Sequence, residues 1–306
     1  MPPHINRAMT PAEWALLVTL AILWGGSYFY IGVAIKVLPA LSIVAVRVGV
    51  GGALLWLVVR MSGQRLPRDL ASWRAFLTMA CMNTVVPFSL IAWAQSHVAS
   101  GLAAILNATT PLFAVVFAHY LTGDERMTPA RGAGIAIGFA GAAVMIGPTA
   151  FAGVGNDLLA ELALLLASVF YALSVIYGRR FSRAGLSPMV TAAGQFTGAA
   201  LIMVPLALFI DQPWTLAPPG VEVWAALLAL GAISTTLAYI IYYRLLATAG
   251  VVNLMLVTFL VPVSAILLGA LFLHEHLEPR HFAGMALIGL GLAAIDGRLL
   301  RLGRRS

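Results

Sequence analysis

Long apolar runs alternate with short polar breaks along the whole of this chain. At about 20 residues per bilayer crossing, the runs predict ten helices. They fall at approximately 13–35, 40–61, 73–95, 99–121, 128–147, 157–178, 187–209, 222–246, 251–273 and 280–297. Pro39, Pro129, Pro188 and Pro279 sit at expected first turns, where a missing N–H costs nothing. The wider breaks, Pro148–Asn156 and Asp211–Gly220, carry turn-forming Gly, Pro, Asn and Asp. Other linkers are short, so consecutive helices run antiparallel. The expected fold is all-α and integral to a membrane, with ten transmembrane helices. The first run, Trp14 to Ile35, exceeds the 7–15 residues of a signal-peptide core, and no small-x-small cleavage pattern follows it. It is read as a retained span.

The runs also repeat. At an offset of 151, Trp73 falls on Trp224, Thr84 on Thr235, Phe88 on Tyr239 and Pro111 on Pro262. After one deletion the offset is 150, pairing Glu125 with Glu275, Pro129 with Pro279, Gly134 with Gly284, Gly141 with Gly291 and Gly147 with Gly297. Five spans is an odd number, so a second five-span copy enters from the opposite side. Residues 1–150 and 151–306 are therefore expected as inverted five-helix repeats, the second ending in a short basic tail. The seam between such repeats is where secondary transporters hold their substrates.

Composition fits this reading: 61% of residues are hydrophobic and 9% charged, against roughly 25% charged in soluble proteins. A net charge of +7 would suggest nucleic acid in a soluble chain. Here the cations follow the membrane instead, so the expected partner is the lipid bilayer and not nucleic acid. With the N-terminus inside, 15 of 18 cations are cytoplasmic: Arg7, Arg60, Arg65, Arg68, Arg74, Arg126, Arg131, Arg179, Arg180, Arg183, Arg244, Arg298, Arg301, Arg304 and Arg305. Lys36 and Arg280 lie outside and Arg47 lies within a span, so the positive-inside rule puts both termini in the cytoplasm. Cys81, the lone cysteine, excludes an intramolecular disulfide and reads as a packing residue.

Trp24-Gly25-Gly26-Ser27, Arg47, and the run Gly123-Asp124-Glu125-Arg126-Met127-Thr128 leading into Gly134 and Gly141 carry a resemblance. The chain resembles EamA-type members of the drug/metabolite transporter superfamily, over nearly its whole length. The second copy, His274-Glu275-His276-Leu277, departs by having His where Gly is usual. The resemblance implies ten helices in two inverted halves, and export or exchange of small metabolites through a central cavity. The aromatic amino-acid exporter branch is the nearest, in a bacterial inner membrane; the family pattern does not fix the substrate.

Three groups of residues are candidates for that cavity. Pro87, Pro111 and Pro262 lie inside spans, and each frees the carbonyl four residues earlier, on Asn83, Asn107 and Thr258. In lipid such polar kinks are tolerated only when buried in protein or facing a wet cavity. Trp24, Tyr28, Tyr171 and Tyr239 fall near mid-span, away from the interfaces where Trp and Tyr usually sit, and Tyr243 shares a face of its span with Tyr239. They read either as interhelical glue or as a wall against an apolar or aromatic substrate. Arg47 is the one charged residue well inside a span, and it needs a partner there. Backbone carbonyls, Asp157, Glu161 and a substrate carboxylate are its candidates. Gly134 with Gly138 and Gly194 with Gly198 have small-xxx-small spacing and read as packing surface, as do Gly284, Gly289 and Gly291.

Other chemistries find no footing. Lys36 is the only lysine and has no phosphate-binding loop around it. His119 and the Ser96–His97 pair lack an acidic orienter, so no catalytic residue is assigned. His274, His276 and His281 with Glu275 and Glu278 read as a solvated loop, so no metal or cofactor is expected. No Asp or Glu lies near mid-membrane to relay protons, which favours facilitated transport or exchange. The expected function is export or exchange of amino acids with apolar or aromatic side chains, by alternating access. Drugs, lipids or other metabolites are the alternatives within the fold; an intramembrane enzyme is the alternative outside it. A homodimer is left open.

Overall fold

A computed structural model describes residues 9–121, 128–146 and 156–296. Arg7, the Gly123–Met127 run with Glu125, Gly147, Gly297 and the tail arginines lie outside the described residues, as does the Arg131 side chain. The described chain is helical throughout, without a strand. Four helices come first: α1 (Pro11–Ala34), α2 (Ala40–Met61), α3 (Leu70–Ala94) and α4 (Ser100–Leu121). Then follow α5 (Pro129–Ile146), α6 (Asn156–Arg183), α7 (Pro188–Ile210) and α8 (Val221–Thr248). The last are α9, in two pieces (Gly250–Leu254 and Val257–Phe272), and α10 (Pro279–Asp296).

Among the described residues, seven of these helices, α1 to α4 and α6 to α8, are long and apolar enough to cross a membrane. Shorter apolar helices run over Gly132–Ile146 and Val257–Phe272. Ile22, Leu201, Phe209, Leu267 and Leu290 point outward, as lipid contact requires. This is a multi-pass membrane protein.

Helix ends follow their local chemistry. Thr10 and Glu13 form a capping box at the start of α1, with the Thr10 N–H donating to Glu13 Oε2 at 2.8 Å. Asp69 caps α3 by accepting from the Ser72 N–H at 2.7 Å, and this bond holds its carboxyl below the usual range. Helix α6 runs past the expected end at 178 to Arg183, with Arg180 and Arg183 in its last turn, where cations complement the helix dipole. Asp211, just after α7, accepts from both the Ser42 N–H (2.6 Å) and the Ser42 hydroxyl (2.8 Å), tying the end of α7 to the start of α2.

The expected spans 3, 4, 8 and 9 are not uniform α-helices. Helix α3 carries a π-helical turn at Cys81–Val85, and α8 carries one at Ala232–Leu237. Helix α4 breaks between Ser100–Asn107 and Thr110–Leu121, so Pro111 lies in the first turn of a new helix instead of inside a continuous one. The Thr110 hydroxyl takes the Asn107 carbonyl at 2.7 Å, the acceptor that Pro111 cannot serve.

The closest helix pairings are α5 with α10, α2 with α7, α3 with α6, and α1 with α9, and α4 also meets α9. Helix α1 packs on α8 and α9, and α6 packs on α3 and α4. Helix α3 also meets α7, and α2 meets α8. Small residues set the tightest approaches. A Cβ on Gly141 would meet the Gly284 carbonyl at 2.7 Å, and one on Gly291 would meet Gly138 N at 2.7 Å. Gly194 likewise makes room for the ring of Phe76.

Candidate substrate site

The π turns place polar side chains at the centre of the assembly. A π turn frees backbone carbonyls from the regular ladder. In α8 the Thr235 hydroxyl donates to the Leu230 carbonyl at 2.8 Å and the Thr236 hydroxyl to the Gly231 carbonyl at 3.1 Å. Proline does not explain the turn in α8: Pro87 follows the turn in α3, but its counterpart at offset 151 is Ala238.

Two hydrogen-bonded groups flank these turns. In the first, Asn107 Nδ2 of α4 donates to the Tyr28 hydroxyl of α1 at 2.9 Å, and Ser168 Oγ of α6 stands 3.3 Å from Asn107 Oδ1. In the second, Asn83 Nδ2 in the α3 π turn donates to the Tyr239 hydroxyl of α8 at 3.4 Å. There Ser174 Oγ of α6 donates to Asn83 Oδ1 at 2.9 Å. Each group joins an asparagine, a tyrosine and an α6 serine. Tyr171 and Tyr239 lie deep among the helices, yet they keep accessible surface, as do Asn83 and Asn107. These partly accessible polar side chains outline a candidate cleft between the helices at this level.

Arg47 joins this region, and its partners differ from the expected carbonyls and carboxylates. Its Nε donates to Thr235 Oγ1 at 3.1 Å and its Nη2 reaches Ser27 Oγ at 3.5 Å. The guanidinium carbon stands 3.7 Å from the centroid of the Phe88 ring. Tyr28, Tyr171 and Tyr239 are its electrostatic neighbours; Asp157 and Glu161 are not among them. A mid-membrane arginine costs about 2.5–3.5 kcal/mol on insertion scales. A hydrogen bond to a charged group contributes about 1.5–3 kcal/mol and a desolvated cation–π contact about 2 kcal/mol, so these contacts offset a cost of that size. They leave the charge itself unneutralised.

A second polar contact of similar make-up joins α7 to α3. Gln195 Nε2 of α7 donates to Thr84 Oγ1 of the α3 π turn at 2.6 Å and also bears on Tyr239. Arg47 with Thr235 and Phe88 thus has a neutral counterpart in Gln195 with Thr84 and Tyr239. Gln195, Ser168 and Ser174 were not singled out from the sequence. The pairing of Thr84 with Thr235 marks the partner of Gln195, whereas no sequence signal marks Ser168 or Ser174.

Three of the five aromatic candidates, Trp24, Tyr239 and Tyr243, join through Tyr242 in a connected row, while Tyr28 and Tyr171 make no ring contact among the described residues. Trp24 meets Tyr242 at 5.5 Å between ring centroids, Tyr242 meets Tyr243 at 5.1 Å, and Tyr243 meets Tyr239 at 5.9 Å. Tyr242 went unnoticed in the sequence because it lies off the face shared by Tyr239 and Tyr243. Pro87 is buried beneath the α3 turn, next to Phe88. Thr258 and Pro262 are not drawn into the polar groups. Pro262 lies buried inside α9, and the Thr258 side chain makes no hydrogen bond among the described residues. No group of three or more His, Cys, Asp or Glu suited to a metal occurs among the described residues.

This polar, partly aromatic cleft inside a membrane bundle has relatives. The model of the EamA-like transporter family matches residues 13–147 and 158–295. The chain belongs to that family. YvbV of Bacillus subtilis, named an uncharacterized transporter, is 25% identical over 288 residues, covering 92% of this chain and 90% of the relative. YoaV of Bacillus subtilis, named likewise, is 22% identical over 280 residues, covering 90% and 94%. YedA of Escherichia coli K12, named an uncharacterized inner membrane transporter, is 27% identical over 269 residues, covering 86% and 83%. A crystal structure described only as that of a protein shares the fold, with a TM-score of 0.67, 21% identity and coverage of 94% and 98%. This EamA-family chain is accordingly a membrane transporter of a small-molecule substrate, and not an enzyme.

Proposed function

We propose that the protein exports or exchanges amino acids with apolar or aromatic side chains. It does so by alternating access between two inverted five-span halves, residues 1–150 and 151–306, in a bacterial inner membrane with both termini in the cytoplasm. The observation that carries this reading is the pair of Asn–Tyr–Ser groups around one partly accessible cleft, beside the aromatic row from Trp24 to Tyr239. Polar tips on aromatic walls suit a solute with a polar backbone and an apolar side chain.

Support for the inverted halves comes from the packing. Exchanging each helix n with n+5 carries α1–α9 onto α6–α4, α3–α6 onto α8–α1, and α3–α7 onto α8–α2. The pairs α2–α7, α4–α9 and α5–α10 map onto themselves. The π turns start at Cys81 and Ala232, and the two repeat segments align these residues with one another. In transporters of this design, rocking of one repeat against the other opens the shared site alternately to the two sides. The π turns in α3 and α8 and the breaks in α4 and α9 are places where such rocking can bend a helix.

The test is counterflow. Purified protein in liposomes preloaded with unlabelled phenylalanine or leucine should accumulate the labelled amino acid transiently and saturably. Absence of counterflow with every amino acid tried, alongside counterflow of a drug or lipid, overturns the substrate assignment. Flux that never saturates overturns alternating access.

A further inference from the structure

Resting on that transporter reading, we propose that the site recognises its substrates by the carboxylate, seated at Arg47 and Ser27, so that an apolar or aromatic monoanion lacking the amino group is also taken and binds more tightly than the amino acid. The two poles of the cleft are chemically unequal. At one, Arg47 binds the Thr235 hydroxyl under Phe88; at the other, Gln195 binds the Thr84 hydroxyl beside Tyr239. One pole therefore carries a full positive charge and the other none.

Among the described residues no protein anion balances that charge. Arg47 is 7% exposed, and a guanidinium keeps its proton under all ordinary conditions. Its hydrogen-bond partners are two hydroxyls, and its electrostatic neighbours are the neutral phenols Tyr28, Tyr171 and Tyr239. Hydroxyls solvate a cation without neutralising it. Nη1 makes no hydrogen bond among the described residues, yet it is not among the sealed polar atoms and so keeps some accessible surface. A guanidinium presents its N–H donors in a fork that fits a carboxylate bidentately. The Nη1 edge is the part of that fork left open.

The same accounting applies to the amino group of an amino acid. An ammonium in this cleft meets Tyr hydroxyls, Asn83 and Asn107, but no carboxylate among the described residues. It would lie in the field of Arg47, which repels it. A zwitterion therefore loses at its ammonium part of what it gains at its carboxylate, whereas a monoanion only gains. Export follows from the same charge balance. An inside-negative potential drives a monoanion outward by roughly fifty-fold in concentration per 100 mV, and a net-neutral zwitterion not at all. An exporter with no mid-membrane carboxylate for proton coupling can concentrate a monoanion outside the cell in this way.

The experiment is calorimetric binding to the full chain in lipid nanodiscs at neutral pH, with three probes of one shape. They are 3-phenyllactate (anion), phenylalanine (zwitterion) and phenethylamine (cation). The proposal expects 3-phenyllactate to bind at least tenfold more tightly than phenylalanine, and phenethylamine not to bind. Arg47→Gln should abolish the preference and Arg47→Lys should retain part of it. The wild-type series decides alone if neither variant folds. Phenylalanine binding as tightly as 3-phenyllactate, a preference that survives Arg47→Gln, or no binding of any probe overturns the proposal. A protein that exchanges phenylalanine in liposomes without discriminating by charge keeps the transporter reading and loses this one.

Discussion

Arg47 and Thr235 stand 188 positions apart in the chain, and Arg47 Nε donates to Thr235 Oγ1 at 3.1 Å. The same hydroxyl donates to the Leu230 carbonyl at 2.8 Å, so one side chain both receives the buried cation and closes the π turn of α8. Thr235→Val keeps the shape and deletes both bonds. It should cost about 1–3 kcal/mol, the usual penalty for leaving buried polar groups unpaired, read as a lower unfolding midpoint in detergent. Thr235→Ser should stay close to the parent. Equal midpoints for Val and Ser would mean that the hydroxyl is idle.

The cleft residues should behave differently from structural ones. Asn107→Ala removes the donor to Tyr28, and Tyr239→Ala removes the acceptor of Asn83 and opens the aromatic row. Both keep accessible surface, so part of the space they leave is open to the cleft. Flux in liposomes should fall at least tenfold while folded yield stays largely intact. A parallel fall in yield and flux would make them packing residues.

The helical membrane fold was legible because lipid leaves the backbone few choices: apolar runs of sufficient length must satisfy their own hydrogen bonds. Tyr28, Asn83, Asn107 and Tyr239 were legible as polar groups at membrane depth that needed partners, and they found one another. The π turns were not, since α8 builds its turn without a proline and relies on Thr235 and Thr236 back-bonding to carbonyls five residues earlier. Such hydroxyl bonds leave no periodicity in a sequence. Arg47 illustrates a different limit. Its need for a partner was plain from one position, but charge suggested Asp157 or Glu161, whereas the fold supplies hydroxyls and a ring.

Two glycines of α10 should respond to alanine with opposite signs. A Cβ at Gly291 would stand 2.5 Å from the Gly134 carbonyl and 2.7 Å from Gly138 N, backbone atoms that cannot step aside. Gly291→Ala should therefore force α5 and α10 apart at a cost of about 1–3 kcal/mol. At Gly289 the nearest atom, Phe259 Cε1, is 4.0 Å away. Gly289→Ala should stabilise the helix by about 0.5–1 kcal/mol. Thermal unfolding of the two variants side by side checks the α5–α10 contact.

His274, which stands where the family pattern has glycine, adopts φ +56° just beyond the end of α9. The left-handed conformation costs a side-chain-bearing residue about 1–2 kcal/mol, and glycine's extra freedom in the unfolded chain returns part of that. His274→Gly should thus stabilise the protein by about 0.5–1 kcal/mol without altering transport. A destabilised variant would point to a contact by the imidazole that outweighs the backbone strain.

The inverted arrangement makes the sharpest claim about two aligned acids. Glu125 and Glu275 align at an offset of 150 and, in the proposed repeat, each lies in the link before a fifth helix. If the repeats were parallel, both links would face one side of the membrane; if inverted, they face opposite sides. Under the proposed orientation, which follows the cations, Glu125 with Arg126 and Arg131 is cytoplasmic and Glu275 is outside. In a Cys81→Ser background, Glu275→Cys should react with a membrane-impermeant maleimide added to intact cells. Glu125→Cys should react only after the membrane is opened. Labelling of both from the same side would leave the mirrored packing of α1–α9 and α6–α4 without a topological cause, and alternating access about a shared cleft without its geometry.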